Sequence, residues 1–144
     1  MSERSVLRLL KKNYPAIYDE LSQKPVLDDL ERVGDLVRFF LQVKSIPLED
    51  LVKNRDQSRM LFITVVVKAY DPVFFIDLDK NLVRGLREKL ASVLFCHETQ
   101  ISHTLSTVRT YLRVYKHFRE EVGYIYGKTV NVLKDESANH LQGA

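Results

Sequence analysis

From Ile101 onward the apolar residues recur at Leu105, Val108, Leu112, Tyr115, Phe118 and Val122, in alternating steps of three and four. That spacing lays one stripe along a helix. Just before it, Lys80 to Leu94 carries a second, shorter amphipathic pattern, with Asp79 placed to cap its start. Phe95-Cys96-His97-Glu98 interrupts the two patterns as a tight break. Ala91 lies ten residues ahead of Ile101. In a helix-turn-helix this spacing lets two helices cross closely, a small residue on the first meeting a β-branched one on the second. The stretch 79–122 is therefore expected to be a helix-turn-helix.

The rest of the chain reads as further helices. Val6, Leu7, Leu9 and Leu10 predict a short amphipathic helix over residues 3–13, and Pro15 can open a second through Leu21. Leu27, Leu30, Val33, Val37, Phe40 and Leu41 predict a helix within 26–43, with Asp28 and Asp29 at its positive end and Lys44 at its negative end. Gly34 inside it is read as the mark of a close helix crossing. Ser45-Ile46-Pro47 is a stop-and-start signal, and a short helix is expected from Pro47 to Lys53. A basic loop follows (Lys53, Asn54, Arg55), with Asp56 as the expected cap of a helix over 57–69. The centre of that helix, Phe62 to Val67, is β-branched enough to pass for a buried strand. Helix is preferred because no partner strand appears elsewhere. Asp71-Pro72 ends it, and Val73 to Leu78 makes an apolar linker of about one helical turn. The fold class is thus all-α, with about six helices, residues 1–134 forming one domain and 135–144 a mobile tail.

Composition narrows the function. With 144 residues the chain can bury roughly two thirds of its unfolded surface, as one domain does. The longest uncharged apolar run, Met60 to Val67, is far too short to span a bilayer. A single cysteine, Cys96, allows no internal disulfide and fits a reducing compartment, so a cytoplasmic location is expected. The net charge of +3 is unevenly spread. Residues 19–50 hold eight acidic and four basic residues, whereas 51–119 hold twelve basic and six acidic. Between Ile101 and Arg119 no carboxylate accompanies Arg109, Arg113, Lys116 and Arg119. Such an asymmetry suits a polyanionic partner.

Enzymatic chemistry finds little support. No phosphate-cradling glycine loop, HExxH or GxSxG pattern occurs. His97, His103 and His117 are spaced six and fourteen residues apart, which does not converge on one metal from one helix. Cys96 reads as a small packed turn residue rather than a nucleophile. No cofactor, metal or small-molecule substrate is expected. The polar face of the second hairpin helix does carry suitable chemistry. Gln100, Ser102, His103 and Ser106 can reach base edges in a major groove, Gln100 as a bidentate partner for adenine and His103 for guanine. Thr99, Arg109 and Arg113 suit phosphates, with Lys53, Arg55, Arg59 and Arg87 as outer clamps.

Over residues 35–122 the order of elements resembles the C-terminal double-strand-DNA-binding domain of the bacterial replication initiator DnaA, a Trp-repressor-like all-α fold. The shared features are a helix, a short helix after SIPLEDL, a basic loop (KNRDQSR), a buried helix (MLFITVVVKAY) and a helix-turn-helix. The signature helix of that family reads approximately DHSTVLHACRKI. Laid on HETQISHTLSTV, it places valine on Ile101, histidine on His103 and isoleucine on Val108. Its sequence-reading aspartate, histidine and threonine fall on His97, Glu98 and Gln100, and its paired turn glycines on Phe95-Cys96. The resemblance implies the fold and a DNA-facing surface, with a different target sequence and no initiator activity. The expectation is a regulatory or accessory DNA-binding protein, with an N-terminal arm able to form a homodimer. The rival is a helical protein-interaction module using residues 99–122, supported by the aromatic cluster Tyr111, Tyr115, Phe118, Tyr124 and Tyr126.

Overall fold

Ser58 to Tyr70 is the axis of the molecule, because nearly every side chain on it is buried. A helix apolar on all sides must sit inside others. In the computed structural model, which describes residues 25–142 and their side chains as far as Glu136, this segment is helical and not a strand. Phe62, Ile63, Val66 and Val67 are fully enclosed, each such side chain contributing about 1.5–3 kcal/mol of burial. Arg59 and Lys68 are the two residues of the helix that are not fully buried. The Lys68 ammonium lies 4.5 Å from the centre of the Tyr126 ring, and burial lowers its pKa.

Six α-helices occur among the described residues, and no strand. They are α1 (Val33–Lys44), α2 (Leu48–Val52), α3 (Ser58–Tyr70), α4 (Leu86–Leu94), α5 (Glu98–Val114) and α6 (Lys116–Gln142). Helix α3 packs on all the others, and one apolar core runs through the set. No helix of the described residues is long and apolar enough to cross a membrane. The short helices expected over 3–13 and 15–21, and with them the arm expected to pair two copies, lie outside the described residues.

Ion pairs tie α1 to α6 at both ends. Arg32 reaches Glu136 at 2.8 Å, and Lys44 reaches Glu121 at 2.6 Å. Because the low-numbered end of α1 meets the high-numbered end of α6, the two helices run antiparallel. Helix α6 continues through Gln142, over most of the stretch expected to be a mobile tail.

Several local expectations are corrected. Helix α1 begins at Val33, after a 3-10 turn (Leu30–Arg32) capped by Asp29. Gly34 marks no crossing, since nothing lies within 4 Å of where its Cβ would be. Ser45 ends α1 in a left-handed conformation (φ 54°) instead of opening α2, whose cap position is Pro47. Asp56 does not cap α3. Asn54 does, its Oδ1 accepting the N–H groups of Arg59 and Met60 at 3.1 and 3.4 Å. The first hairpin helix starts at Leu86, not Lys80. The chain before it is held instead by the buried Asp71 carboxylate, which accepts Lys80 Nζ at 2.6 Å and the Val83 N–H at 3.0 Å. Gly85 then turns it with φ +88°. Lastly, the stripe from Ile101 to Val122 is not one rod. Tyr115 is extended (φ −106°, ψ 106°) and divides it into α5 and α6.

Candidate nucleic-acid interface

The turn between α4 and α5 is three residues long and satisfied at both ends. Phe95 adopts the left-handed conformation (φ 55°), which lets its own N–H reach Ser92 O and the Cys96 N–H reach Ala91 O at 3.0 Å. This is the pair of hydrogen bonds that commonly closes a helix, usually over glycine. Here the position carries a phenyl ring that is 74% exposed. His97 opens α5: its Nδ1 accepts the Thr99 N–H at 3.1 Å and lies 2.9 Å from the Thr99 hydroxyl. Cys96 is half-buried against the core. Behind the turn, Ala91 and Ile101 are both buried, and α4 packs directly on α5.

Helix α5 has one buried face, Ile101, Leu105 and Val108. At about 100° per residue, Thr99, His103, Ser106, Thr110 and Arg113 project from the opposite side, and all five are exposed. Gln100 is exposed and Ser102 half-buried. Two positions apart on the helix, they stand about 200° apart around it, one on each flank of the stripe. The four candidate base contacts are therefore not collinear: His103 and Ser106 are central, with Gln100 and Ser102 to either side. Thr104 and Thr107 return their hydroxyl protons to the carbonyls of Gln100 and His103, at 2.9 and 3.2 Å.

The cations are placed differently from what their sequence positions imply. Arg109 donates from Nη2 to Phe74 O at 2.9 Å and from Nη1 to Leu78 O at 3.4 Å. Its guanidinium also lies 3.9 Å from the centre of the Phe74 ring. It is a strut between α5 and the 72–78 segment, which removes it from the set of phosphate contacts. Arg119 caps α5 by donating to Leu112 O and Arg113 O, both at 2.9 Å. Lys116 is 3.7 Å from Glu120. Arg113 makes no ion pair with the described residues.

The basic loop is partly neutralised by the acids of α2. Lys53 lies 2.6 Å from Glu49, and Arg55 lies 3.0 Å from Asp50. Arg59 is half-buried and donates to Val52 O, so it serves the loop instead of an outside phosphate. Arg87 is half-buried as well. Gln57, in the same loop, shares a cleft with Tyr111 and Tyr115. Tyr111 is eleven residues beyond Gln100, about 16 Å along the axis of α5. The loop thus flanks the far end of the helix, away from the base-reading candidates.

Sequence reasoning missed the cap at Asn54, although asparagine's tolerance of left-handed backbone and its acceptor oxygen were both there to be read. It had no local signal for the roles of Arg109 and Arg119. Among the described residues no group of three or more His, Cys, Asp or Glu side chains is placed to hold a metal ion. No known protein family, curated protein or solved structure matches this chain.

Proposed function

We propose that this protein binds double-stranded DNA through α5, as a non-enzymatic, regulatory or replication-accessory protein of the cytoplasm. One observation carries the reading: the outward face of α5 bears Thr99, His103, Ser106, Thr110 and Arg113, exposed over four turns, and no carboxylate lies between Ile101 and Arg119. A helix of that width fits a major groove, where hydroxyl and imidazole groups meet base edges. His103 and Ser106 are assigned to bases, with Gln100 and Ser102 reaching from the flanks. Thr99, at the positive end of α5, and Arg113 are assigned to phosphates. Lys53 and Arg55 join from the far end by leaving Glu49 and Asp50, since exposed ion pairs are worth only about 0–1 kcal/mol. The order of helices between residues 35 and 122 supports the same orientation through its resemblance to the initiator domain.

Fluorescence anisotropy with a random duplex tests this. Binding should weaken steeply as salt rises, by about 0.9 log unit per log unit of salt for each phosphate neutralised. Arg113→Ala should lower that slope by roughly one contact, and His103→Ala should relax discrimination among sequences. Absence of binding at low salt, or binding indifferent to salt, would overturn the proposal.

A second reading, a protein-interaction module, is favoured by the elbow between α5 and α6. Val114 is 58% exposed and Tyr115 51%, while Phe118 from the same stripe is buried. A partner docking there should be lost on Tyr115→Ser with DNA affinity unchanged.

A further inference from the structure

Five described residues other than glycine take a left-handed backbone: Ser45, Asn54, Asp56, Gln57 and Phe95. Asparagine and aspartate tolerate that conformation, but for a bulky side chain it is an outlier. Glycine at position 95 would close α4 with the same two hydrogen bonds and without the crowding of Cβ against the backbone. The ring gives nothing to the interior in return. Leu94 is buried, and Val93 and Cys96 pack against the core, whereas Phe95 stands outside it, exposed. Backbone strain and an exposed phenyl ring are two separate costs at one residue, and such a position points to a role outside the fold.

The surroundings of Phe95 narrow what it meets. The turn is fixed on both sides, by the Cys96 N–H on Ala91 O and by the His97 ring on the Thr99 N–H. The phenyl ring is therefore carried by a settled backbone. Four links separate Phe95 from Thr99, the first exposed residue of the α5 stripe, which keeps their Cα atoms within about 14 Å. A major groove is about 12 Å wide and admits a helix, so a groove that takes the start of α5 has the turn at its edge. From Leu90 to Val108 there is no lysine or arginine, and the turn has no side-chain cation for phosphates. What Phe95 offers is apolar contact. The apolar group that base pairs display in the major groove is the 5-methyl of thymine.

We propose that Phe95 is a specificity-determining residue that covers a thymine methyl group at the edge of the site read by α5. This rests on the DNA-binding reading and names one base contact within it. The test uses two short fluorescein-labelled duplexes of one A·T-rich sequence, the second with deoxyuridine in place of every thymidine. Pairing and phosphate charge are the same in both, so anisotropy titrations at one salt concentration isolate the methyl groups. The parent protein should bind the thymidine duplex about fourfold more tightly for one methyl covered. Phe95→Gly should bind both duplexes alike, at the level of the deoxyuridine duplex and with the parent's salt slope. The same variant should melt at a higher temperature than the parent, since glycine relieves the left-handed backbone, and this shows that it folds. Equal binding of the two duplexes by the parent, or a thymidine preference that survives Phe95→Gly, would overturn the Phe95 contact and leave DNA binding standing. The second result would also assign the discrimination to another residue or to the shape of the duplex. Failure of both duplexes to bind the parent at low salt would overturn the DNA reading and this contact together.

Discussion

Replacing Arg109 with alanine should cost stability, because the structure makes this side chain an internal tie. Bonds of 2.9 and 3.4 Å to the carbonyls of Phe74 and Leu78 and the stack on the Phe74 ring all end on one guanidinium. A hydrogen bond from a charged donor contributes about 1.5–3 kcal/mol, and a cation over an aromatic face about 0.5–2 kcal/mol. The two share one side chain and do not add fully. The expected loss is about 2–4 kcal/mol, some of it from leaving the carbonyl of the buried Phe74 without this donor. In urea, where the slope for a small protein is about 1–3 kcal/mol per molar, the midpoint should fall by about 1–2 M. Arg109→Lys keeps the charge but not the fork, and should recover only part of the loss. A surface phosphate contact would behave oppositely, with stability within about 0.5 kcal/mol of the parent and a reduced salt slope for DNA. A midpoint unchanged by Arg109→Ala would refute the strut.

Gly34 and Gly85 should respond in opposite directions to alanine. Gly34→Ala, in a helix with nothing near the new methyl, should stabilise by about 0.4–1 kcal/mol. Gly85→Ala, at φ +88° with Leu30 Cδ1 2.8 Å from the new Cβ, should cost about 1–2 kcal/mol or more; thermal melts compare the pair. Asn54→Ala removes the acceptor for two N–H groups at the start of α3 and should cost about 1–2 kcal/mol in urea unfolding. Tyr70 donates to Asp29 O at 2.6 Å, and burial, helped by the Asp29 carboxylate, pushes its pKa up to about 12. Its folded pKa lies above the unfolded value near 10, so its contribution is complete below about pH 10 and is lost as pH rises through about 12. Tyr70→Phe should lose about 1 kcal/mol at neutral pH and show a shallower alkaline decline in urea midpoints, with Tyr126, also raised by burial, retaining part of it.

Periodicity alone located the buried face of α5, because Ile101, Leu105 and Val108 lie on one side of any helix with that sequence; α3, apolar all round, was read as helix only because its neighbours are helical and no partner strand appears elsewhere. The tight break after Leu94 was legible too, although nothing in it announces a left-handed phenylalanine. The division at Tyr115 was not. Leu112, Tyr115 and Phe118 keep the helical step across it with no glycine or proline between them, and the end of α5 is capped by Arg119, which lies beyond the break. The late start of α4 was hidden for a similar reason. Asp79 looks like a cap, but the segment is governed by Asp71, nine and twelve residues from the groups it binds. Arg109 reaches partners 31 and 35 residues away. Charge counted along the chain cannot separate such a strut from a cation that faces solvent. The candidate interface therefore retains its polar face and loses half of the cations first assigned to α5.

Backbone amide NMR shifts on adding a short duplex at low salt test the central claim most directly. The account expects perturbations at Thr99, Gln100, Ser102, His103, Ser106 and Arg113, fading as salt is raised. An unperturbed α5, or changes confined to Val114, Tyr115 and the start of α6, would contradict it.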